Sequence, residues 1–177
     1  MYLTESKKYL KDYPEITKDF RGCNDEQIVA LESLLNVKIP EAYKEFLRWF
    51  GLKGGQIMRG SDFYYRYLIG EAYEDYIEEG IYNEDVSLKK FAIELLDEYG
   101  FDGEKLLEDA IVIMSHQGTA YQYIKLDGSE NPKVYMFAEQ GDWLKNGPMV
   151  WAESFSDYMV NMLKQNIDSL KHIGYLK

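Results

Sequence analysis

Between residues 24 and 50 apolar positions recur at helical spacing in two runs, with clear punctuation between them. Asn24 is followed three residues on by Gln27, the pair that closes a capping box at a helix start. Ile28, Leu31, Leu34 and Leu35 then share one face. Val37-Lys38-Ile39 reads as a short extended link. Pro40 suits the first position of a second helix, where its missing N–H costs nothing. Tyr43, Phe46, Leu47 and Phe50 form that helix's apolar stripe; Gly51 stops it and Gly54-Gly55 permits a tight turn. Upstream, residues 3–13 predict a helix ended by Pro14, and residues 15–23 predict irregular chain.

The period changes further on. Phe63, Tyr64, Tyr65 and Tyr67 predict a strand region within 56–69. Residues 71–82 and 87–99 predict helices, the second with Leu88, Phe91, Ile93, Leu95 and Leu96 on its apolar side, and residues 104–109 a short turn. Ile111 to Met114 is an unbroken apolar run, as in a strand covered on both faces. Residues 121–126 and 134–137 read as strands joined by Asp127-Gly128-Ser129-Glu130-Asn131-Pro132, a run of turn formers, and so as a hairpin. Val150-Trp151 suits a last strand, and Ser154 caps a final helix with the stripe Phe155, Met159, Met162, Leu163 and Ile167. In the hairpin, Tyr121 and Tyr123 face one way and Ala120, Gln122, Ile124 and Leu126 the other, while Tyr135 and Phe137 share a face of the partner strand. One sheet face must pack, so the aromatic face is expected beneath a helix rather than open as a recognition platform. The order predicts a single α+β domain over residues 1–177: a mostly antiparallel central sheet flanked by N-terminal and C-terminal helices.

Charge adds a second pattern. The net charge is −11, yet residues 71–109 hold 14 acidic against 3 basic side chains, so that one segment carries all of it and the rest is balanced. An acidic segment repels phosphate backbones, which argues against direct nucleic-acid binding, and it attracts basic proteins. The plainer reading is a solubilising surface. The single cysteine, Cys23, forbids an intramolecular disulfide and points to the reducing cytoplasm. The first eight residues lack the basic and apolar stretches of a signal peptide, and no run approaches a membrane span.

The chain offers little chemistry. His116 follows the buried strand, where catalytic residues often sit, but no nucleophile elbow or cysteine signature accompanies it. A hydrogen-bonding histidine at a strand end is the expected role. Two histidines and one cysteine, widely spaced, make no zinc pattern. Residues 127–131 have oxygen ligands without the periodicity of a calcium loop, and Lys53-Gly54-Gly55 lacks the end of a phosphate loop. No catalytic residue, metal or cofactor is expected.

The run Ile28-x-x-Leu31-Glu32-x-x-Leu35-x-Val37-x-Ile39-Pro40-x-x-Tyr43-x-x-Phe46-Leu47, closed by Gly51 and Gly54-Gly55, resembles the opening of the SUKH superfamily. Later pieces agree: Asp109 to Met114, the Tyr121–Asp127 strand, Val134-Tyr135 and Ala152-x-Ser154-Phe155-x-x-Tyr158. The resemblance spans residues 24–165 and departs from shorter members in the acidic region 71–109. It implies a non-catalytic binding domain. Many bacterial members neutralise a toxin, often a nuclease, by stoichiometric binding; yeast relatives of the Smi/Knr type imply instead a regulatory or scaffold module for an endogenous partner. Under the first reading the partner is a basic toxin domain. Glu71, Glu74, Asp75, Glu78 and Glu79, with Tyr73 and Tyr76, are the expected contacts, since tyrosines carry interface energy while charges set rate and choice of partner.

Overall fold

The computed structural model describes residues 1–69 and 87–176. Helix α1 (Thr4–Tyr9) runs into a 3₁₀ turn at Leu10–Asp12. Pro14, expected only to end this run, also begins one: it sits at the first position of α2 (Pro14–Thr17). The stretch read as irregular then holds β1 (Phe20–Arg21), which pairs antiparallel with β2 (Lys53–Gly54) across the two central helices. Those are α3 (Asp25–Leu35) and α4 (Glu41–Phe50). The capping box forms as expected: Gln27 N–H donates to Asn24 Oδ1 at 2.8 Å and Asn24 N–H to Gln27 Oε1 at 3.0 Å. Asn36 ends α3 in the left-handed region, φ 51°, which asparagine tolerates better than most residues.

Two expectations here need correction. In α3, Ile28 and Leu31 are buried but Leu34 is exposed and Leu35 half-buried, so the stripe is narrower than its spacing suggested. Pro40 is the N-cap of α4, not its first helical residue, and has no side chain to cap with. The α3–α4 link is instead held by Glu32, whose carboxylate accepts the Ile39 N–H at 2.9 Å and meets Lys44 Nζ at 2.8 Å. Tyr43, Phe46, Leu47 and Phe50 are all fully buried. At the turn, Gly55 has φ 59°, and a Cβ on Gly54 would lie 2.5 Å from the Tyr64 hydroxyl.

The region 56–69 also departs from expectation. It contains only a two-residue strand, β3 (Ser61–Asp62), and one helical turn, α5 (Tyr65–Leu68). Its aromatics are spent on tertiary packing: Phe63 lies 4.8 Å from Phe46, centroid to centroid, and the Tyr64 hydroxyl donates to the Ile57 carbonyl. Next come α6 (Leu88–Glu98), capped by Ser87, and α7 (Gly103–Leu107), capped by Asp102. Leu88, Leu95 and Leu96 of α6 are buried as expected, with Ala92; Phe91 and Ile93 are only half-buried. The remaining elements are β4 (Ala110–His116), β5 (Ala120–Lys125), β6 (Val134–Ala138), α8 (Trp143–Asn146), β7 (Met149–Ala152) and α9 (Phe155–His172).

The sheet has the order β3-β4-β5-β6-β7, antiparallel throughout, so the chain is an α+β protein with a meander at its centre. Val112, Tyr123 and Tyr135 are register partners, as are Ser115, Tyr121 and Phe137. This aromatic face is covered: Tyr121, Tyr123 and Phe137 are buried, and Phe137 meets Tyr99 and Phe101 at the end of α6. The opposite face, with Gln122, Ile124, Val134 and Met136, receives α9, whose Phe155, Met159, Met162, Leu163 and Ile167 are all buried. The described apolar core is one cluster running from Leu3 to Leu176.

Candidate functional site

Register and helix packing leave an opening on one side of the sheet. Along the α9 side of the sheet, each strand contributes to the floor of a groove of about 580 Å³: Ser61 from β3, Met114 and His116 from β4, Ala120 and Gln122 from β5, Met136 from β6, Trp151 and Ala152 from β7. Residues of α9 from Tyr158 to Asp168 form the wall, and Met58 closes one end. The volume falls in the range of ordinary ligand sites. Four methionines, Met58, Met114, Met136 and Met162, give it a soft apolar lining.

Two polar groups in this lining lack partners. Gln122 is only 5% exposed; its Nε2 donates to Met136 Sδ at 3.5 Å while its Oε1 has no donor. Tyr158 is buried with its hydroxyl unpaired, and burial pushes its phenol well above the usual range, which keeps it neutral. A buried polar atom without a partner costs free energy, so such atoms are rare in folded proteins. Asn166 is better served: its Oδ1 accepts the Met58 N–H at 2.9 Å and its Nδ2 donates to the Met162 carbonyl. The charged side chains of the groove are Lys164 and Asp168, one of each sign.

The contact residues expected from the acidic segment, Glu71, Tyr73, Glu74, Asp75, Tyr76, Glu78 and Glu79, lie outside the described residues, as does the helix expected over 71–82. The described part of the segment, residues 87–109, buries its apolar side and turns its carboxylates outward. Glu94, Asp97 and Glu98 on α6, and Asp102, Glu104, Glu108 and Asp109 around α7, all reach solvent. Two of these carboxylates also hold the chain in place: Asp97 accepts the Gly103 N–H at 2.9 Å and Asp102 the Lys105 N–H at 3.0 Å.

His116 and Cys23 serve different regions. His116 Nδ1 lies 2.9 Å from Ser61 Oγ and ties the end of β4 to β3, the strand-end role expected of it. Cys23 is buried, with its N–H on the Leu47 carbonyl, and burial pushes its thiol up to about 11. In the hairpin turn the oxygens are taken by backbone N–H groups. Asp127 Oδ1 accepts from Ser129, Ser129 Oγ from Asn131, Glu130 Oε2 from Glu41 and Asn131 Oδ1 from Ser156. Among the described residues no group of three or more His, Cys, Asp or Glu is placed to hold a metal ion, and no helix is long and apolar enough to cross a membrane.

An antiparallel meander packed between helices defines a domain of the α+β class. The profile of the SMI1 / KNR4 family (SUKH-1) matches residues 22–161, most of the chain, and the protein belongs to that family. A search of curated proteins gave no match.

Proposed function

We propose that this protein is an immunity protein that binds a basic toxin domain stoichiometrically in the cytoplasm and blocks it, without catalysis or a cofactor of its own. Membership of SUKH-1 supports a protein-binding role. The observation that carries the choice of partner is the charge map: the whole net charge of −11 falls within residues 71–109. Within that segment the carboxylates of α6 and α7 are exposed. Such a surface steers a basic partner into encounter and rejects like-charged ones. Glu71, Glu74, Asp75, Glu78 and Glu79, with Tyr73 and Tyr76, are the proposed contacts.

The test is co-expression with toxin domains from neighbouring reading frames, scoring growth, followed by association kinetics against salt. Added salt should slow association more than it speeds dissociation, because screening acts over about 8 Å at physiological ionic strength. Replacing Glu74, Asp75, Glu78 and Glu79 with Lys should abolish protection with the fold retained. Full protection by that variant, with salt-independent association, removes the acidic segment from the mechanism. A stable His116→Ala protein should protect as the parent does; one that binds its partner yet no longer protects overturns the purely stoichiometric reading.

A further inference from the structure

We infer that the groove between α9 and the sheet is a docking site for an uncharged, extended peptide segment, lying across the strands with its apolar side chains on the methionine floor. This deepens the partner-binding reading: it assigns a place for a segment of the partner, apart from the acidic surface.

The groove's length suits such a segment. Its floor takes a residue from each of five strands, which at a strand spacing of about 4.8 Å makes a run of roughly 19 Å. An extended chain rises about 3.3 Å per residue, so five to six residues fill it. The chemistry suits it too. Extended backbone outside a sheet leaves its own N–H and C=O groups unmet and needs partners for them, whereas a helix satisfies its own. The groove supplies carboxamides from Gln122, Asn161 and Gln165. The unpaired Gln122 Oε1 takes an N–H. Lys164 and Asp168 offset one another, so a charged segment gains nothing over a neutral one. Methionine adapts its shape to different apolar side chains, which fits a floor that must accept several in a row.

The probe is the capped hexapeptide acetyl-(Leu-Thr)₃-amide, whose alternation puts every leucine on one side when extended. It is titrated into the full chain carrying ¹³C-methyl methionine and followed by NMR. Saturable shifts of the Met114, Met136 and Met162 methyls are expected, with none for acetyl-(Glu-Thr)₃-amide. The variant Gln122→Met keeps the side chain's length and removes the orphan acceptor. It should bind the hexapeptide about fivefold more weakly, the fold-change of one ordinary hydrogen bond, while its free form melts no lower than the parent. A stability loss without a loss of affinity would make Gln122 a structural residue and overturn the proposal. So would methyls that ignore the hexapeptide, or equal affinity for acetyl-leucine-amide, which would mark a small-molecule site. Methyl shifts that depend on protein concentration alone would mark a second copy of the chain as occupant. If the groove fails while a toxin still associates in a salt-dependent way, the acidic-surface reading stands and only the groove is lost.

Discussion

Glu130, in the turn of the β5–β6 hairpin, caps a helix 89 residues before it: its Oε2 accepts the Glu41 N–H at 2.9 Å and its carbonyl accepts the Ala42 N–H at 2.9 Å. The first turn of α4 has orphan donors, and Pro40 has no side-chain oxygen to meet them. The hairpin supplies what the local sequence lacks. The adjacent Asn131 does likewise for α9, bonding both the N–H and the hydroxyl of Ser156. The turn is thus a clamp joining the starts of two helices to the sheet.

Removing the clamp should be felt in stability. Glu130→Ala is expected to cost about 1 kcal/mol, as losing a helix cap usually does. The urea midpoint should fall with an unchanged slope. A midpoint equal to the parent's would mean that water replaces the carboxylate without loss.

Phe46 stands at the centre of the aromatic packing, with ring centroids of Phe63, Phe50 and Tyr43 at 4.8, 5.0 and 5.4 Å. Phe46→Ala should cost about 3–5 kcal/mol. Because α4, α9 and the sheet share one core cluster, we expect a single cooperative transition at lower temperature by calorimetry. Two transitions in the parent would divide the proposed single domain.

Glu45 ties α1 to α4, accepting the Tyr2 N–H at 2.6 Å and meeting Lys7 Nζ at 2.7 Å. Burial opposes its ionisation, but Lys7 and the two backbone N–H groups of Tyr2 and Leu3 outweigh it and hold the carboxyl below the usual range. A depressed carboxyl contributes stability that is complete above the ordinary glutamate value and lost as pH falls through the folded one. Glu45→Gln should therefore be less stable than the parent near neutrality. The gap in urea midpoint should narrow as pH falls below the ordinary glutamate value. A constant gap would show that packing, not charge, is what the substitution removes.

Cys23 should react slowly while the protein is folded. With its thiol raised to about 11 by burial, thiolate is scarce at neutral pH and access is poor. Labelling by iodoacetamide should run at least about a hundredfold slower than in urea, and its rate should track global unfolding. Fast labelling without denaturant would reveal local opening where β1 meets α4.

Much of this architecture is legible in the residues. The Asn24–Gln27 box, the stripes of α4 and α9 and the hairpin's two faces are local patterns, and each forms as its spacing predicts. The failures lie where tertiary structure decides what local pattern cannot. Tyr64, Tyr65 and Tyr67 favour strand by propensity, yet tertiary contacts claim that region and only Ser61-Asp62 joins the sheet. Leu34 fits its helical stripe but lies outside the area that the described core covers. The groove was not legible, because its floor takes one or two residues from each of five strands and exists only once the register is set. The one sequence sign of it is Gln122, an amide alternating with the buried tyrosines on a strand covered on both sides.

The acidic segment leaves and re-enters the fold between two adjacent strands. Ser61-Asp62 pairs directly with Ser115-His116, so everything between β3 and β4 departs from and returns to neighbouring strands. The ladder fixes the two ends of that excursion and is indifferent to its length, since closing a longer loop costs only a logarithmic increment. Freedom of length is not freedom of sequence, however: Leu88, Ala92, Leu95, Leu96 and Leu107 of α6 and α7 belong to the common core, and Tyr99 and Phe101 lie on Phe137. Only the outward carboxylates of these two helices can be rewritten without uncovering the aromatic face of the sheet, so the charge of this surface is editable while its apolar side is not.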